Sequence, residues 1–437
     1  MLSINNLSVS FNNKNVLKNI CLNINTGEKV LITGPCSGGK TTLLYAIQKI
    51  IPDYLTANCS GNIDINSFPV MVFQNPESQI FLTTIEEELA FAPENFCIPP
   101  EKIRQNVDTQ LKHFNFYNRR FANPSFLSGG EKQRLAIASV MTLSPDIILF
   151  DEPLSQLDNR FKDLFIGLIE RLSDKTIIIA EHNIKDLLEV MDRIVIIDDG
   201  KIEFDKSIRE LNEDNYNYFD SLGIRCRANE FRYNQEEKCD NEILKINNIQ
   251  FSYNRKLVVN IHEFKLDQGG ITGIYGKNGV GKTTLFKILS GFYKNISGTI
   301  KKPENISYIP QNPDLLLCLG SVRDEIEASA FNKAPDLIET VYNKFGLDSI
   351  KNKNPLLLSW GEKHNLAVAI GVASVPELLL LDEPFTSMDL NTLKKIVFSL
   401  KRFINQYNIT VIINSHDIDL LKMFCDEIID FDDINRI

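Results

Sequence analysis

Short apolar runs recur along the chain, and each ends at or just before glycine, a carboxylate or a histidine. The runs cover residues 30–32, 147–150 and 177–179 in the first half and 271–275, 378–381 and 411–413 in the second. Unbroken runs of leucine and β-branched residues are typical of strands buried on both faces of a parallel sheet. Ligands of such sheets bind at the carboxyl ends of the strands. The pattern therefore predicts an α/β fold whose polar residues gather at one sheet edge.

The second half of the chain repeats the first. Lys40 and Lys282 are 242 residues apart, and the same comparison gives 231 residues for Asp151 and Asp382. We predict two like domains, at residues 1–222 and 243–437, joined by a polar, charge-mixed linker at residues 223–242. The alternative for the linker is a short helix packed on one domain, which its sparse apolar residues disfavour.

Composition and charge narrow the class of protein. The 437 residues are 43% hydrophobic and 24% charged, as in a soluble globular protein, and the net charge of −10 disfavours a large nucleic-acid surface. No apolar run is long enough to span a bilayer, and the start of the chain does not look like a secretion signal. The 8 cysteines include no C-x-x-C pair, which favours a reducing, cytosolic compartment. Any membrane role is therefore expected to be peripheral.

Two glycine-rich segments, residues 34–41 and 276–283, match the pattern G-x-x-x-x-G-K-[ST]. In this pattern backbone N–H groups wrap the phosphates of a nucleotide, the lysine neutralises them and the hydroxyl holds Mg²⁺. The candidate nucleotide-binding residues are Gly34, Pro35, Cys36, Ser37, Gly38, Gly39, Lys40, Thr41 and Thr42, and Gly276, Lys277, Asn278, Gly279, Val280, Gly281, Lys282, Thr283 and Thr284.

Paired carboxylates end one predicted strand in each half, as Asp151-Glu152 and Asp382-Glu383. The aspartate can coordinate Mg²⁺, and the glutamate is the candidate for polarising an attacking water. A pair that merely caps a helix is the alternative. It is disfavoured because each pair has a glycine-rich loop roughly 100 residues upstream.

Glutamine and histidine recur at matching places. Gln74 and Gln311 each begin a Gln-Asn-Pro triplet and can touch Mg²⁺ or the attacking water, although Asn-Pro also favours a plain turn. His182 and His416 follow the third strand of each half, and this paired placement favours a contact with the γ-phosphate.

A serine–glycine turn precedes an alanine-rich amphipathic run in the first half. A helix start of this kind attracts phosphate, so a γ-phosphate held by one domain can be sealed by the turn of the other. The two turns consist of Ser128, Gly129, Gly130 and Glu131, and of Ser359, Trp360, Gly361 and Glu362.

Together with Ser-Gln-Leu-Asp at residues 155–158, these motifs resemble the ATP-binding cassette (ABC) ATPase family over nearly the whole chain, twice. The resemblance implies two P-loop NTPase domains, each with a mostly parallel core sheet, a small antiparallel β subdomain and a small helical subdomain. It also implies a head-to-tail pair of cassettes that hydrolyses ATP with Mg²⁺. Phe11 and Tyr253 match the aromatic that stacks on adenine, with an ordinary strand-end aromatic as the alternative.

Residues 74–81 and 87–95 resemble the cassettes of energy-coupling-factor (ECF) importers, including the cobalt-type ones. The resemblance implies a groove that receives a helix from a membrane-embedded scaffold subunit, which works with a substrate-capture subunit. Uptake of a vitamin, metal ion or other small solute would then be powered from the cytoplasmic face. The alternative is a solvated acidic helix at residues 86–88. We favour the groove because Phe81, Leu89 and Phe91 interleave with the acids.

The two signature turns differ, since Trp360 stands where the first copy has Gly129. Tryptophan adds bulk and lacks the backbone freedom of glycine. In a head-to-tail pair Trp360 would face Lys40, so we expect the Lys40 site to be the slower one. If Trp360 points away, both sites would be active.

Two other functions are compatible with tandem cassettes. A soluble twin-cassette ATPase acting on ribosomes is the main alternative, although such proteins usually have a long charged linker. A DNA-repair ATPase is disfavoured, because the gaps of 54 residues after Gln74 and 48 after Gln311 leave room only for a small helical subdomain.

Overall fold

The computed structural model describes residues 1–12, 14–36, 38–154, 159–227, 241–253, 256–277, 279–294, 296–330, 335–385 and 388–436. The chain divides into two compact units, Met1–Arg227 and Ala228–Ile437. Ser37, Asn278, residues 155–158 and the middle of the predicted linker, residues 228–240, lie outside the described residues.

The first unit contains two sheets. The strands are β1 (Leu2–Phe11), β2 (Lys14–Ile24), β3 (Lys29–Thr33), β4 (Asn58–Ile65), β5 (Pro69–Val72), β6 (Ile147–Asp151), β7 (Thr176–Ala180), β8 (Arg193–Asp198) and β9 (Lys201–Ser207). A three-stranded antiparallel sheet has the order β2-β1-β4, and a six-stranded sheet has the order β5-β6-β7-β3-β8-β9. The larger sheet is parallel except for its edge strand β9.

Helices cover the sheets and form a layer beside them. They are α1 (Lys40–Ile47), α2 (Ile50–Asp53), α3 (Ile85–Asn95), α4 (Pro100–His113), α5 (Gly129–Met141), α6 (Asn159–Arg171) and α7 (Glu213–Ser221). The helices α3, α4 and α5 share a separate small core, which includes the buried Leu89, Leu111 and Leu135. This core is the small helical subdomain that the sequence predicted.

The second unit repeats the plan. Its strands are β10 (Glu242–Tyr253), β11 (Lys256–Asp267), β12 (Ile271–Tyr275), β13 (Ser297–Lys301), β14 (Ile306–Ile309), β15 (Leu378–Asp382), β16 (Thr410–Ser415) and β17 (Glu427–Asp430). The order β11-β10-β13 forms an antiparallel sheet and β14-β15-β16-β12-β17 a parallel one. The helices are α8 (Lys282–Leu289), α9 (Val322–Ser329), α10 (Pro335–Phe345), α11 (Trp360–Ala373), α12 (Leu390–Tyr407), α13 (Ile418–Phe424) and α14 (Phe431–Ile434).

The predicted fold class is confirmed, and the reason lies in the apolar runs. Every residue of β6, β7, β15 and β16 is buried, because both faces of these central strands carry packed side chains. The parallel connections bring the carboxyl ends of β3, β6 and β7 to one edge, and those of β12, β15 and β16 to the other unit's edge. The candidate site residues follow these strand ends.

The described ends of the predicted linker belong to the units. Ile224 and Cys226 are buried in the core of the first unit, and Glu242 begins β10. The backbone N–H of Arg225 donates to the carbonyl of His182 at 3.1 Å. The side chains of Ile224 and Cys226 anchor this segment to the first unit. The sequence prediction missed them because it judged the whole stretch by its polar average composition.

Candidate nucleotide-binding and catalytic sites

The first glycine-rich loop connects β3 to α1. Lys40 begins the helix, is buried, and donates from Nζ to the carbonyl oxygens of Gly34 at 2.8 Å and Pro35 at 2.9 Å. At Gly34 φ is 141°, and a Cβ there would lie 2.1 Å from the carbonyl oxygen of Ile197. Only glycine therefore fits this turn. The loop curls around the ammonium group, which is the shape that a phosphate cradle requires.

The second loop connects β12 to α8 in the same way. Lys282 donates from Nζ to the carbonyl oxygens of Gly276 and Lys277. At Gly281 φ is 113°, and a Cβ there would lie 2.6 Å from the carbonyl oxygen of Val258. The two loops thus have the same local construction, with the helix N-terminus placed behind the lysine.

A threonine and an aspartate meet at the end of each loop. Thr41 Oγ1 donates to Asp151 Oδ1 at 3.0 Å, and Thr283 Oγ1 donates to Asp382 Oδ1 at 3.1 Å. Mg²⁺ prefers oxygen ligands and uses one or two protein groups together with substrate phosphates. Hydroxyl and carboxylate oxygens at this separation fit that requirement, so these residues would hold Mg²⁺ between protein and nucleotide.

Glu152 and Glu383 follow the aspartates in an unusual backbone conformation. Their φ angles are 47° and 48°, in the left-handed region that side chains rarely adopt. The N–H of Glu152 donates to the carbonyl of Ala180 at 2.8 Å, and that of Glu383 to the carbonyl of Asn414 at 3.1 Å. The same bend in both units turns each glutamate toward the histidine that follows the neighbouring strand.

In the first unit Glu152 is held by the glutamine and the histidine that the sequence analysis singled out. Gln74 Nε2 donates to Glu152 Oε2 at 2.7 Å, and His182 Nε2 lies 2.9 Å from Glu152 Oε1. The other ring nitrogen, Nδ1, lies 3.4 Å from Lys40 Nζ. The structure therefore joins glutamine, glutamate, histidine and the loop lysine in one cluster, which we call centre 1.

In the second unit the contacts are different. His416 presents Nδ1 to Glu383 Oε1 at 2.9 Å, and its own backbone N–H donates to the same oxygen at 2.8 Å. Ser415 Oγ donates to Glu383 Oε2 at 2.9 Å. We call this cluster centre 2. The side chain of Gln311 is exposed, and within the described part of the chain it makes no hydrogen bond to Glu383. Gln74 and Gln311 therefore differ in their contacts, and the role predicted for both stays a prediction.

Burial sets the electrostatics of both centres. Burial and the nearby Glu152 raise the pKa of Asp151 to about 7, and burial also raises the pKa of Asp382. At Glu383 burial acts in the same direction, but His416, Lys282 and the Ser415 hydroxyl outweigh it, so its pKa is lowered. A bound Mg²⁺ would stabilise the charged forms of Asp151 and Asp382 further.

The signature turns begin helices α5 and α11. Ser128 and Ser359 each form a capping box: the serine N–H donates to Glu131 Oε2 at 2.9 Å and to Glu362 Oε2 at 2.8 Å, respectively. The ring of Trp360 packs edge-on against His364 of its own helix, with centroids 5.1 Å apart. The indole therefore lies on its own unit.

The predicted adenine-stacking aromatics have different settings. Phe11 is partly buried against the core of the first unit. Tyr253 is partly exposed, packs edge-on against Phe251 and shares a hydrogen bond with Tyr293. Their role in binding adenine stays a prediction.

Four residues near the centres had no role assigned from the sequence. Tyr308 OH donates to Asp382 Oδ2 at 2.9 Å, and Asn414 Oδ1 accepts from the N–H of Glu383 at 2.9 Å. Glu181 and Ser415 each directly precede a histidine. Their positions next to the predicted histidines could have marked Glu181 and Ser415 as candidates. The spacing of the motifs does not show the orientation of their side chains.

The fold and these two centres define tandem nucleotide-binding cassettes. The sequence model of the ABC transporter family matches residues 17–155 and 259–386, and the chain belongs to that family as a protein with two ATP-binding cassettes. Members of this class hydrolyse ATP, and the chain is an ATPase of that kind.

Relatives support the assignment along the whole chain. An ABC transporter ATP-binding protein of Treponema denticola is 31% identical and is matched over 98% of this chain and 95% of its own length. One from Clostridium perfringens is 30% identical over 95% of this chain and 86% of its own. None of the helices within the described ranges is long and apolar enough to cross a membrane.

Solved structures share the fold. A model of ribosome-bound archaeal Pelota and ABCE1 matches with a TM-score of 0.71 and 22% identity over 95% of this chain and 74% of that chain. The RNase-L inhibitor matches with a TM-score of 0.66 and 21% identity over 95% of this chain and 85% of that chain. The TM-scores indicate a common tandem-cassette fold, and at identities this low the matches show the fold alone.

Proposed function

We propose that the two cassettes pair head to tail around two ATP molecules and power a membrane importer of the ECF type. In this arrangement Lys40, Asp151 and Glu152 would work opposite the second signature turn, and their counterparts in the second unit opposite Ser128. Closure around ATP and reopening after hydrolysis would move a helix of a membrane-embedded scaffold subunit. A separate capture subunit would bring the vitamin, metal ion or other small solute.

One observation carries this proposal: a braced loop runs from centre 1 to an exposed aromatic pair. At one end Gln74 contacts Glu152, and at the other the rings of Phe81 and Phe91 meet edge-on with centroids 4.9 Å apart. Phe81 is 61% exposed and Phe91 38% exposed. Exposed apolar pairs of this kind are typical of interaction sites.

Two polar side chains, the half-buried Gln79 and the buried Glu88, brace that loop. Gln79 accepts from the N–H of Phe73 at 2.9 Å, and Glu88 Oε2 accepts from the N–H groups of Phe81 at 3.1 Å and Leu82 at 2.9 Å. Glu325 makes the equivalent pair of bonds to Cys318 and Leu319 in the second unit. A movement of Gln74 would therefore be transmitted to the aromatic pair.

The residues available to line the proposed groove differ from those expected. Leu89 is fully buried and does not line it, and Glu88 faces inward. Glu86 pairs with Arg120 at 2.5 Å, and Glu87 accepts from the Thr83 hydroxyl at 2.6 Å and the Thr84 N–H at 3.0 Å, so all three acids at residues 86–88 are engaged within the unit. The acidic rim is thus weaker than expected, and the occupant that fits is an amphipathic helix docking mainly through apolar residues.

The alternative is a twin-cassette ATPase acting on ribosomes, which the fold of the ABCE1 structures favours. A single cell-fractionation experiment distinguishes the importer proposal from the ribosome alternative. Membranes and ribosomes from cells producing the full chain are sedimented apart, with the double variant Phe81→Ala/Phe91→Ala compared with Tyr54→Ala, a control at another exposed aromatic.

We expect membrane association that the double variant loses and the control keeps. A photo-crosslinker at position 81 should then attach to a polytopic membrane protein. Sedimentation with ribosomes, or membrane association that the double variant retains, would overturn the importer proposal.

A further inference from the structure

Glu181 is a buried acid beside centre 1 that the scheme above does not use. It stands between the end of β7 and His182 and is only 3% exposed. Its Oε1 accepts from the N–H of His182 at 2.9 Å and of Asn183 at 3.4 Å, and its Oε2 accepts from the N–H of Leu154 at 3.3 Å. One carboxylate thus ties the segment bearing His182 to the segment that follows Glu152.

The second unit has no acid at the matching position, which is the last residue of β16. Ser415 takes the place of Glu181, and its hydroxyl donates to Glu383 while accepting from the N–H of Asp417 at 3.1 Å. A hydroxyl both donates and accepts, whereas a carboxylate only accepts. Serine can therefore hold the catalytic glutamate directly, and an ionised Glu181 cannot.

The carboxylate of Glu181 lies in an unfavourable setting. Burial, together with the charge of Glu152, raises the pKa of Glu181 to about 7, which marks the cost of placing this carboxylate there. The second unit follows its strand with a histidine at the same place by using serine. A buried acid at a position where the second unit has an uncharged hydroxyl points to a role that serine does not supply.

The two histidines also differ in orientation. His182 presents Nε2 to Glu152, while His416 presents Nδ1 to Glu383. In the first unit both the Glu181 carboxylate and the backbone of Arg225 bond to the backbone of His182. The backbone bonds that fix the histidine segment are thus different in the two centres.

We propose that Glu181 is a positioning residue of the first centre: its bonds to residues 154, 182 and 183 set the Nε2 contact of His182 with Glu152, and they make the two ATPase centres chemically unequal. The inference rests on ATP hydrolysis and not on transport. It holds or fails whatever the membrane partner is.

The test isolates each centre. In a chain carrying Glu383→Gln, which leaves centre 1 as the hydrolysing site, Glu181→Ser is expected to lower kcat at least about ten-fold while KM for ATP changes less than about two-fold. Glu181→Gln keeps one acceptor oxygen, so its kcat should lie between that of the parent and that of Glu181→Ser. Glu170→Ser, at an exposed glutamate of α6, is the matched control and should leave both constants unchanged.

A second readout does not depend on turnover. The chain has 5 histidines, so side-chain nitrogen NMR can resolve them, with His182→Gln assigning the signal. We expect different ring tautomers for His182 and His416, and a shift of the His182 signal toward that of His416 in Glu181→Ser.

Unchanged kcat together with an unmoved His182 signal would overturn the proposal. So would a joint loss of kcat, nucleotide binding and thermal stability in both Glu181 variants, since that pattern indicates a purely structural role.

Discussion

His364 offers a quantitative test of how the second unit is packed. It lies in α11, one turn after Trp360, and is fully buried. Burial lowers its pKa to about 4, with the charge of Asp314 and the backbone of Pro384 acting weakly in the opposite direction. The cause is loss of hydration, which penalises the charged imidazolium. The folded unit therefore holds this histidine neutral.

The sign and size of the effect follow from linkage. Between pH 4 and 6.5 the unfolded chain binds a proton at His364 that the folded chain does not, so stability rises with pH in this window. The contribution is complete above the unfolded value of about 6.5 and is lost as the pH falls toward the folded value. A shift of roughly 2.5 units corresponds to about 3 kcal/mol in full, of which about 1.3 kcal/mol is lost between about pH 7.5 and 5.5.

The assay uses the single tryptophan of the chain, Trp360, whose ring packs against His364. Urea unfolding followed by Trp360 fluorescence at the two pH values gives the change in unfolding free energy. His364→Gln installs the residue that the first unit buries at the matching place, Gln133. We expect this variant to lose about 1.3 kcal/mol less than the parent on acidification.

His262→Gln is the control, because His262 is exposed on a strand of the same unit. Its pH dependence should equal that of the parent. If His364→Gln also follows the parent over this pH range, the desolvation argument for His364 is refuted.

Three further predictions concern single residues of the first unit. Leu89→Ala should cost about 2–5 kcal/mol in urea unfolding and Phe91→Ala less, because Leu89 is fully buried and Phe91 partly exposed; equal costs would contradict the packing. Thr84→Ala removes the cap of α3, so it should cost about 1 kcal/mol in the same assay, and no loss would show that the capping box is dispensable. Gly34→Ala should reduce the rise in melting temperature caused by MgATP to the part that the second unit's loop contributes, because its Cβ would collide with the carbonyl of Ile197; an unchanged rise would contradict the loop geometry.

The sequence by itself determined the architecture and which of the candidate site residues lie together. Buried strands need uninterrupted apolar residues, and parallel strands end at a common edge. Short motifs that follow those strands, such as Lys40-Thr41 and Asp151-Glu152, could therefore be placed together from the sequence alone. The duplication strengthened each assignment, because a motif found twice at matching offsets has a common structural cause.

The tertiary structure alone decided which side chains touch. Gln74 reaches its glutamate and Gln311 does not, although their motifs are alike. Leu89 is turned into the helical core, and Glu181 and Ser415 form different bonds from equivalent positions. Such contacts join residues far apart in the chain and depend on rotamers chosen by local packing and by the balance of donors and acceptors. Hydrophobic periodicity and motif spacing predict where strands and loops run. The orientation of a side chain depends on the neighbours that it contacts in the folded unit.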